Sequence, residues 1–289
     1  MKILLLGAAG QVGTESQRAL APLGEVAAFD RPEMDFTNAD KLRELVRSVG
    51  ADVIVNAAAY TAVDKAESEQ DIAEQLNHHA VAVLADEAKR SDALLVHYST
   101  DYVYDGTKSS PYVETDATNP LSVYGATKLR GDLAIAASGC RHVIFRTTWV
   151  YAAHGNNFIK TMLRLAKERE ELTVVADQHG APTSAALLAD VTAKAIGAGN
   201  LAGLYHLVAG GETTWHGFAQ FILAEAQKRG AVLKAGPEKV KPIPTSAYPT
   251  PAKRPANSRL NTDKLKTALK IDLPPWELHA KAVIDALPL

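Results

Sequence analysis

The sequence predicts an α/β fold: a doubly wound parallel sheet of Rossmann type with a smaller C-terminal substrate-binding region. Three observations predict it. Short, continuous, β-rich apolar runs alternate with longer amphipathic segments through the first half of the chain, as buried parallel strands and crossover helices do. A glycine-spaced turn, Gly7-Ala8-Ala9-Gly10-Gln11-Val12-Gly13, follows the first run and opens the first amphipathic segment. A Tyr124-x-x-x-Lys128 pair falls between the fourth and fifth runs, and Ser99-Thr100 follows the fourth.

In chain order, Lys2–Leu6 reads as the first strand and Gln11–Leu20 as its helix. Glu25–Phe29 is the second strand and Ala39–Val49 the second helix. Asp52–Val55 is the third strand, followed by helical sequence from about Asp71 to Lys89. Ala93–Tyr98 is the fourth strand, and Val143–Arg146 the fifth, after a helix around Tyr124–Ala137. The intervening Ser99–Val123 shows no periodicity and contains Asp105-Gly106, Pro111 and Pro120; loops this long in compact domains are usually functional. Beyond about residue 150 the rhythm loosens. Phe158–Glu170, Ser184–Ala198 and Trp215–Arg229 read as helices, Pro242–Pro255 as an extended proline-rich loop, and two short helices close the chain. The division expected is a dinucleotide-binding domain over 1–150 and a substrate-binding region over 151–289, some segments of which return to the first domain.

Composition narrows the function. Hydrophobic residues at 47% allow a core of ordinary size, and Lys/Arg are mixed with Asp/Glu at a net charge of −2, which argues against a nucleic-acid surface. The single cysteine, Cys140, cannot form an internal disulfide, and no Cys/His spacing fits a zinc site. The apolar run Ile3–Leu6 is too short for a signal segment or a membrane span. A cytoplasmic protein with no membrane partner is expected.

Glycines in the turn let the backbone approach a pyrophosphate, and the helix start aims free N–H groups at it. Gly7, Gly10, Gln11, Val12 and Gly13 are therefore cofactor-binding candidates, although glycines alone also suit an empty strand-to-helix turn. Asp30, closing the second strand, can accept hydrogen bonds from ribose hydroxyls and favours NAD; the adjacent Arg31 can pair with a 2′-phosphate and favours NADP. Asp35 and Phe36 are expected to flank the adenine. Tyr124 and Lys128, at i and i+4, share one helix face. Ketone reduction needs a proton for the developing alkoxide, and a lysine beside a tyrosine is expected to lower the phenol's pKa and improve that donor. Thr100, at the carboxyl edge of the fourth strand, is placed to donate to the substrate carbonyl.

Further stretches carry a resemblance. They are Val55-Asn56-Ala57-Ala58-Ala59-Tyr60-Thr61-Ala62-Val63-Asp64, Ser99-Thr100-Asp101-Tyr102-Val103-Tyr104-Asp105-Gly106, Arg146-Thr147-Thr148-Trp149-Val150-Tyr151, Gly155-Asn156-Asn157-Phe158, Asp177-Gln178 with Gly180-Ala181-Pro182-Thr183, and Arg254-Pro255 with Asn257-Ser258. In order along nearly the whole chain, they resemble the dTDP-4-dehydrorhamnose reductase family of extended short-chain dehydrogenases. The resemblance implies reduction of a nucleotide-linked 4-keto sugar by NADPH or NADH, with Thr100, Tyr124 and Lys128 as the catalytic set. It implies that Ala57, Ala58 and Ala59 let the cofactor lie close, that Asp101, Tyr102 and Trp149 line the sugar pocket, and that Arg254 meets the substrate diphosphate. It also implies a homodimer with Mg²⁺ held by acidic residues at its interface. Glu15 is the candidate ligand and Asp190 a weaker one, a solvated glutamate being the plainer reading of Glu15. Tyr102 stands where related dehydratases carry glutamate, so an acid for dehydration is missing. Tyr104 departs from the expected Phe.

Elsewhere the residues read as structural. His78 and His79 have no ligand partners at metal spacing, Asn77 serves packing at least as well as a bridge to the cofactor site, and Thr61–Asp64 has near capping-box spacing. Two other functions fit the same motifs. A non-catalytic dinucleotide-binding regulatory subunit needs no intact Thr100/Tyr124/Lys128 set, and an epimerase needs an added acid/base pair that the sequence does not offer.

Overall fold

The computed structural model describes residues 1–31 and 34–288. Its centre is a six-stranded parallel sheet built from β1 (Lys2–Leu6), β2 (Glu25–Phe29), β3 (Val53–Asn56), β4 (Leu94–Thr100), β5 (His142–Thr147) and a sixth strand, Gly203–His206. Reading across, the order is sixth strand, β5, β4, β3, β1, β2. The chain leaves β1 for β2 on one side and returns for β3 on the other. The order therefore reverses between β1 and β3, which opens a crevice beyond their carboxyl ends.

Side-chain alternation divides the core. Ile3, Leu5, Val53, Val55, Val96, Tyr98, Val143 and Phe145 face one layer, which includes Ala185–Ala198, Phe158–Glu168 and Trp215–Lys228. Leu4, Leu6, Ile54, Leu95 and Ile144 face the other, made by α2 (Ala39–Val49), Ala80–Ser91 and Val123–Ser138. Strands apolar on both faces require cover on both, which is why they read as unbroken apolar runs. The sixth strand comes from beyond residue 150 and extends the N-terminal sheet, pairing in parallel with β5.

Four expectations change. β4 runs on to Thr100, and β3 is shifted one residue to Val53–Asn56; Asp52 precedes it, its amide donating to the Lys2 carbonyl at 2.9 Å and its side chain accepting from the Lys2 amide at 2.7 Å. The helix expected over 71–89 is Gln70–Glu74 and Ala80–Ser91 joined by a π-helical turn, Gln75–His79. The proline-rich stretch begins as a strand: Val240–Ile243 pairs with Leu172–Val175, and Pro242 is tolerated in this two-stranded ribbon because each strand has a free edge. Among the described residues, no helix is long and apolar enough to cross a membrane.

The turn into α1 (Gln11–Leu20) is packed backbone to backbone. A Cβ on Gly13 would lie 2.0 Å from the Gly7 carbonyl oxygen, and one on Gly7, whose φ is +80°, would lie 2.6 Å from the Ala58 nitrogen. A Cβ on Gly10 meets only the Gly7 oxygen, at 3.3 Å. Gly13→Ala should therefore lower stability by about 1–3 kcal/mol, the usual cost of overpacking, while Gly10→Ala should cost much less. Urea melts of the two variants check the order.

Candidate active site

The crevice at the strand reversal is a cleft of about 460 Å³. Gly10, Gln11 and Val12 form one wall, and Asn56 with Ala57–Ala59 another. Gly7 and Gly13 stand behind these walls, so their small size serves the turn's own packing, whereas Gly10 borders open space. The three alanines after β3 leave room that longer side chains would fill.

The helix Val123–Ser138 supplies the opposite wall. Its N-terminus is capped by the Ser122 hydroxyl, which accepts from the Gly125 amide at 3.2 Å. Two glycines press it onto neighbouring backbone: a Cβ on Gly125 would lie 2.2 Å from the Tyr102 carbonyl oxygen, and one on Gly131 2.2 Å from that of Asn77. Asn77 is fully buried in the π turn and bonds both the amide (2.9 Å) and the carbonyl (3.0 Å) of Tyr60 and the Thr127 hydroxyl (3.1 Å). It ties the loop after β3 to the Tyr124 helix and is not a cleft residue.

Tyr124 and Lys128 both line the cleft. Lys128 is buried to 2% exposure, donates to the Tyr98 carbonyl at 2.7 Å and lies 3.0 Å from His97 Nε2. Burial lowers its pKa to about 8, with the Asp132 carboxylate opposing. The Tyr124 phenol moves opposite to expectation. Burial pushes its pKa well above the ordinary value, a hydrogen bond with Thr100 opposing and the charges of Asp101 and Asp132 adding to the rise. Lys128 spends its contacts on β4, and desolvation governs the phenol.

Thr100 and Asp101 follow directly. The Thr100 hydroxyl accepts from the Tyr102 amide at 3.2 Å and donates to Asp101 Oδ1 at 3.1 Å, so its proton points at Asp101 and must turn to reach a substrate carbonyl. Asp101 also accepts from Ser258, and burial raises its pKa to about 6 against these hydrogen bonds. Tyr102 packs edge-on against Tyr124 with centroids 5.5 Å apart; burial and the neighbouring Asp101 push its phenol up. Trp149 lines the cleft, stacks on Trp215 with centroids 3.7 Å apart, and holds φ at +50°. Left-handed backbone on a bulky residue is strained and persists only where surroundings impose it; here Gly180 makes room for the indole. Thr147, buried and also lining the cleft, has a hydroxyl without a partner among the described residues, which suits a polar ligand.

Several expected residues are engaged otherwise. Phe36 is buried in the second core layer, and Asp35 accepts from the Thr37 hydroxyl (2.6 Å) and amide (3.0 Å), which lowers its pKa and closes a turn. Phe36 thus turns its ring into the core, while Asp35 stays exposed at the turn. Asp30 and exposed Arg31 close β2, beside the Gly7 and Ala8 amides that bond the Phe29 carbonyl, but outside the cleft walls. Arg254 pairs with Asp64, at 2.8 and 3.2 Å, instead of standing free for a diphosphate. Thr61–Asp64 begins a single helical turn, Val63–Ala66, without a side-chain cap. Glu15 and Asp190 meet through Arg18, at 3.4 and 2.8 Å, so a guanidinium already neutralises the pair that a metal ion would need. His78 and His79 come within 4.8 Å of Glu74, but Arg130 occupies both of its carboxylate oxygens, at 2.8 and 3.0 Å. Tyr104, in place of Phe, uses its hydroxyl: Arg146 donates to it at 2.9 Å and His206 Nε2 lies at 2.9 Å.

Motif reading passes over Trp215, Asn56 and His97. Trp215 reads only as a helix start, and its stacking on Trp149 depends on packing between elements far apart in sequence. Asn56 and His97 sit inside apolar runs, where a buried polar side chain is itself a signal.

The RmlD substrate binding domain model matches residues 1–288. The dTDP-4-dehydrorhamnose reductase of Escherichia coli K12 is 53% identical, over 99% of this chain and 98% of that protein. The crystal structure of a dTDP-4-dehydrorhamnose reductase from Clostridium acetobutylicum is 39% identical, covers 99% of both chains and superposes with a TM-score of 0.92. That of Bacillus anthracis, in complex with NADP, is 34% identical over 98% of both chains with a TM-score of 0.91. A parallel sheet with its cleft at the strand reversal, the Tyr124/Lys128 pair beneath it and this agreement from end to end place the chain in the RmlD substrate binding domain family, that of the dTDP-4-dehydrorhamnose reductases.

Proposed function

We propose that this chain reduces the 4-keto group of dTDP-4-dehydro-L-rhamnose to give dTDP-L-rhamnose, the last step in making that sugar nucleotide, with NADPH or NADH as reductant. The observation that carries this reading is the convergence of Thr100, Tyr124 and Lys128 on one cleft whose other wall is the glycine turn. The open floor at Gly10, the small Ala57–Ala59 wall and the unpartnered Thr147 hydroxyl suit a nicotinamide cofactor and a polar sugar.

The bound cofactor supplies the hydride. Tyr124 supplies the proton: its raised pKa keeps the phenol protonated at neutral pH until the carbonyl oxygen becomes a strongly basic alkoxide. Thr100 orients that oxygen once its hydroxyl turns from Asp101. Trp149 and Tyr102 bound the sugar space, and the Trp149–Trp215 stack limits water entry. A second cavity of about 530 Å³ shares Trp215 with the cleft and is lined by Phe158, Leu165, Val174, Tyr248, Arg169 and Arg254. Apolar and aromatic walls with Arg169 beside them suit a pyrimidine nucleotide, and this favours a nucleotide-linked sugar over a free one. An intact proton-donating set in a complete cleft speaks against a silent regulatory subunit.

Loss of NADPH absorbance with dTDP-4-dehydro-L-rhamnose, together with formation of dTDP-L-rhamnose, is the expected result; tight cofactor binding without oxidation would favour the regulatory subunit. Tyr124→Phe should bind NADPH normally, by fluorescence titration, and lose about 10²–10⁴-fold in kcat.

Asp101 gives a pH-dependent expectation. Its folded pKa, about 6, lies above the usual carboxylate value, so folding favours the protonated form. That contribution to stability is complete below the unfolded pKa and is lost as pH rises through the folded one. Asp101→Asn mimics the protonated state. Unfolding midpoints of variant and parent should coincide near pH 4 and separate by pH 7, the variant being more stable by on the order of 3 kcal/mol.

A further inference from the structure

Two amide side chains join the glycine turn to the second half of the chain. Asn157 is the N-cap of the helix Phe158–Glu168, whose residues Phe158, Thr161 and Leu165 line the second cavity. Gln11 opens α1 and lines the cleft. The two lie 146 positions apart in sequence and meet at 2.9 Å.

Their contacts fix which way both amides point. The Lys160 backbone N–H donates to the Asn157 side chain at 3.2 Å, so the atom it meets is Oδ1. Asn157 Nδ2 donates one hydrogen to the Ala152 carbonyl at 2.7 Å and the other to Gln11 at 2.9 Å. An amide nitrogen has no lone pair to offer, so the Gln11 atom facing it is Oε1. Gln11 Nε2 is thereby turned away from Asn157, and it has no partner among the described residues. The stem is held as well. Gly155, with φ at +68°, packs against it so closely that a Cβ there would lie 3.1 Å from Gln11 Cγ. Gripped at its stem and its oxygen, the side chain has only its two N–H groups left to offer.

Those donors stand at the start of α1. Its N-cap, Gly10, brings no side-chain acceptor, so no cap satisfies the amides of the first turn. Glu15, one turn along, is held by Arg18 at 3.4 Å. Backbone and side-chain donors gathered without an acceptor suit an anion.

We propose that Asn157 is a positioning residue for cofactor binding: by donating to Gln11 Oε1 it aims the Gln11 Nε2–H groups into the cleft, where they join the first-turn amides of α1 in receiving the pyrophosphate of the dinucleotide. This rests on the reading of the cleft as the NAD(P) site. A Gln11 amide turned the other way would set its oxygen against the phosphates. Asn157 excludes that orientation, because two NH₂ groups would then face each other. The second half of the chain therefore takes part in holding the cofactor as well as the sugar nucleotide.

NADPH affinity, by fluorescence titration of the full chain, tests this. Asn157→Asp keeps the acceptor for Lys160 and a good N-cap, but a carboxylate only accepts, so Gln11 must turn its nitrogen toward residue 157 and its oxygen toward the cleft. The Kd for NADPH should rise about ten- to a hundredfold, the range for a hydrogen bond to a charged group. The KM for NADPH should rise with it, far more than kcat falls. Gln11→Ala should weaken binding by a similar factor. The double variant separates positioning from the charge added at residue 157: without the Gln11 amide, Asn157→Asp should cost no more than about twofold. An unchanged Kd in Gln11→Ala overturns the proposal, whether or not the residue-157 variant folds. A full loss from Asn157→Asp in the Gln11→Ala background overturns it too. Wild-type protein that binds no NADPH would overturn the dinucleotide reading of the cleft itself.

Discussion

The site depends on backbone segments brought closer than any Cβ permits. Gly13 lies against the Gly7 carbonyl, Gly7 against Ala58, Gly125 against Tyr102 and Gly131 against Asn77. The first three join a helix or turn to a loop leaving the sheet, the fourth joins the Tyr124 helix to the π-helical turn, and each sits within a few residues of a cleft wall. These approaches set the distance between the glycine turn, the alanine wall and the Tyr124 helix. The cleft is therefore defined by main chain, which moves little, with side chains added to a rigid frame.

Desolvation then decides the chemistry. Tyr124, Lys128, Asp101 and His97 all stand where water is excluded, and each shifts towards its neutral form. The Tyr124 phenol, held in its protonated form by burial, gives its proton to the developing alkoxide. The full charges nearby are held apart from it: Asp132 is engaged by Arg146 and Ser99, and Arg146 also donates to Tyr104. Tyr104, unlike phenylalanine, gives that buried guanidinium a further acceptor, which accounts for a hydroxyl so far inside the fold.

What could be read from the sequence follows from how local each signal is. Strands β1 to β5 announce themselves by apolar runs, and Tyr124 and Lys128 by a spacing that a helix puts on one face. Helix ends were accurate to within a residue or two because Ser122, Asn157, Ser184 and Thr214 are N-caps. Non-local pairing was hidden. Arg254 looked available for a phosphate because Asp64 is 190 positions away, and Glu15 looked like a metal ligand because Arg18 and Asp190 converge on it only after folding. Phe36 was expected beside an adenine, whereas its ring belongs to the core. The direction of the Tyr124 shift was missed for a related reason: spacing shows that a lysine is near, but not that β4 already uses its contacts.

The Arg254–Asp64 pair has a consequence for how the two cavities communicate. Asp64 lies one residue beyond Val63 in the cleft wall, while Arg254 lines the neighbouring cavity. One ion pair thus joins a wall of each. A ligand in either cavity that stiffens or draws on its own side of the pair changes the energy of the other side, and thermodynamic reciprocity makes the effect equal in both directions. A single substrate that fills both cavities loads this pair from both sides, and the pair weakens with salt to the extent that it is exposed and screened.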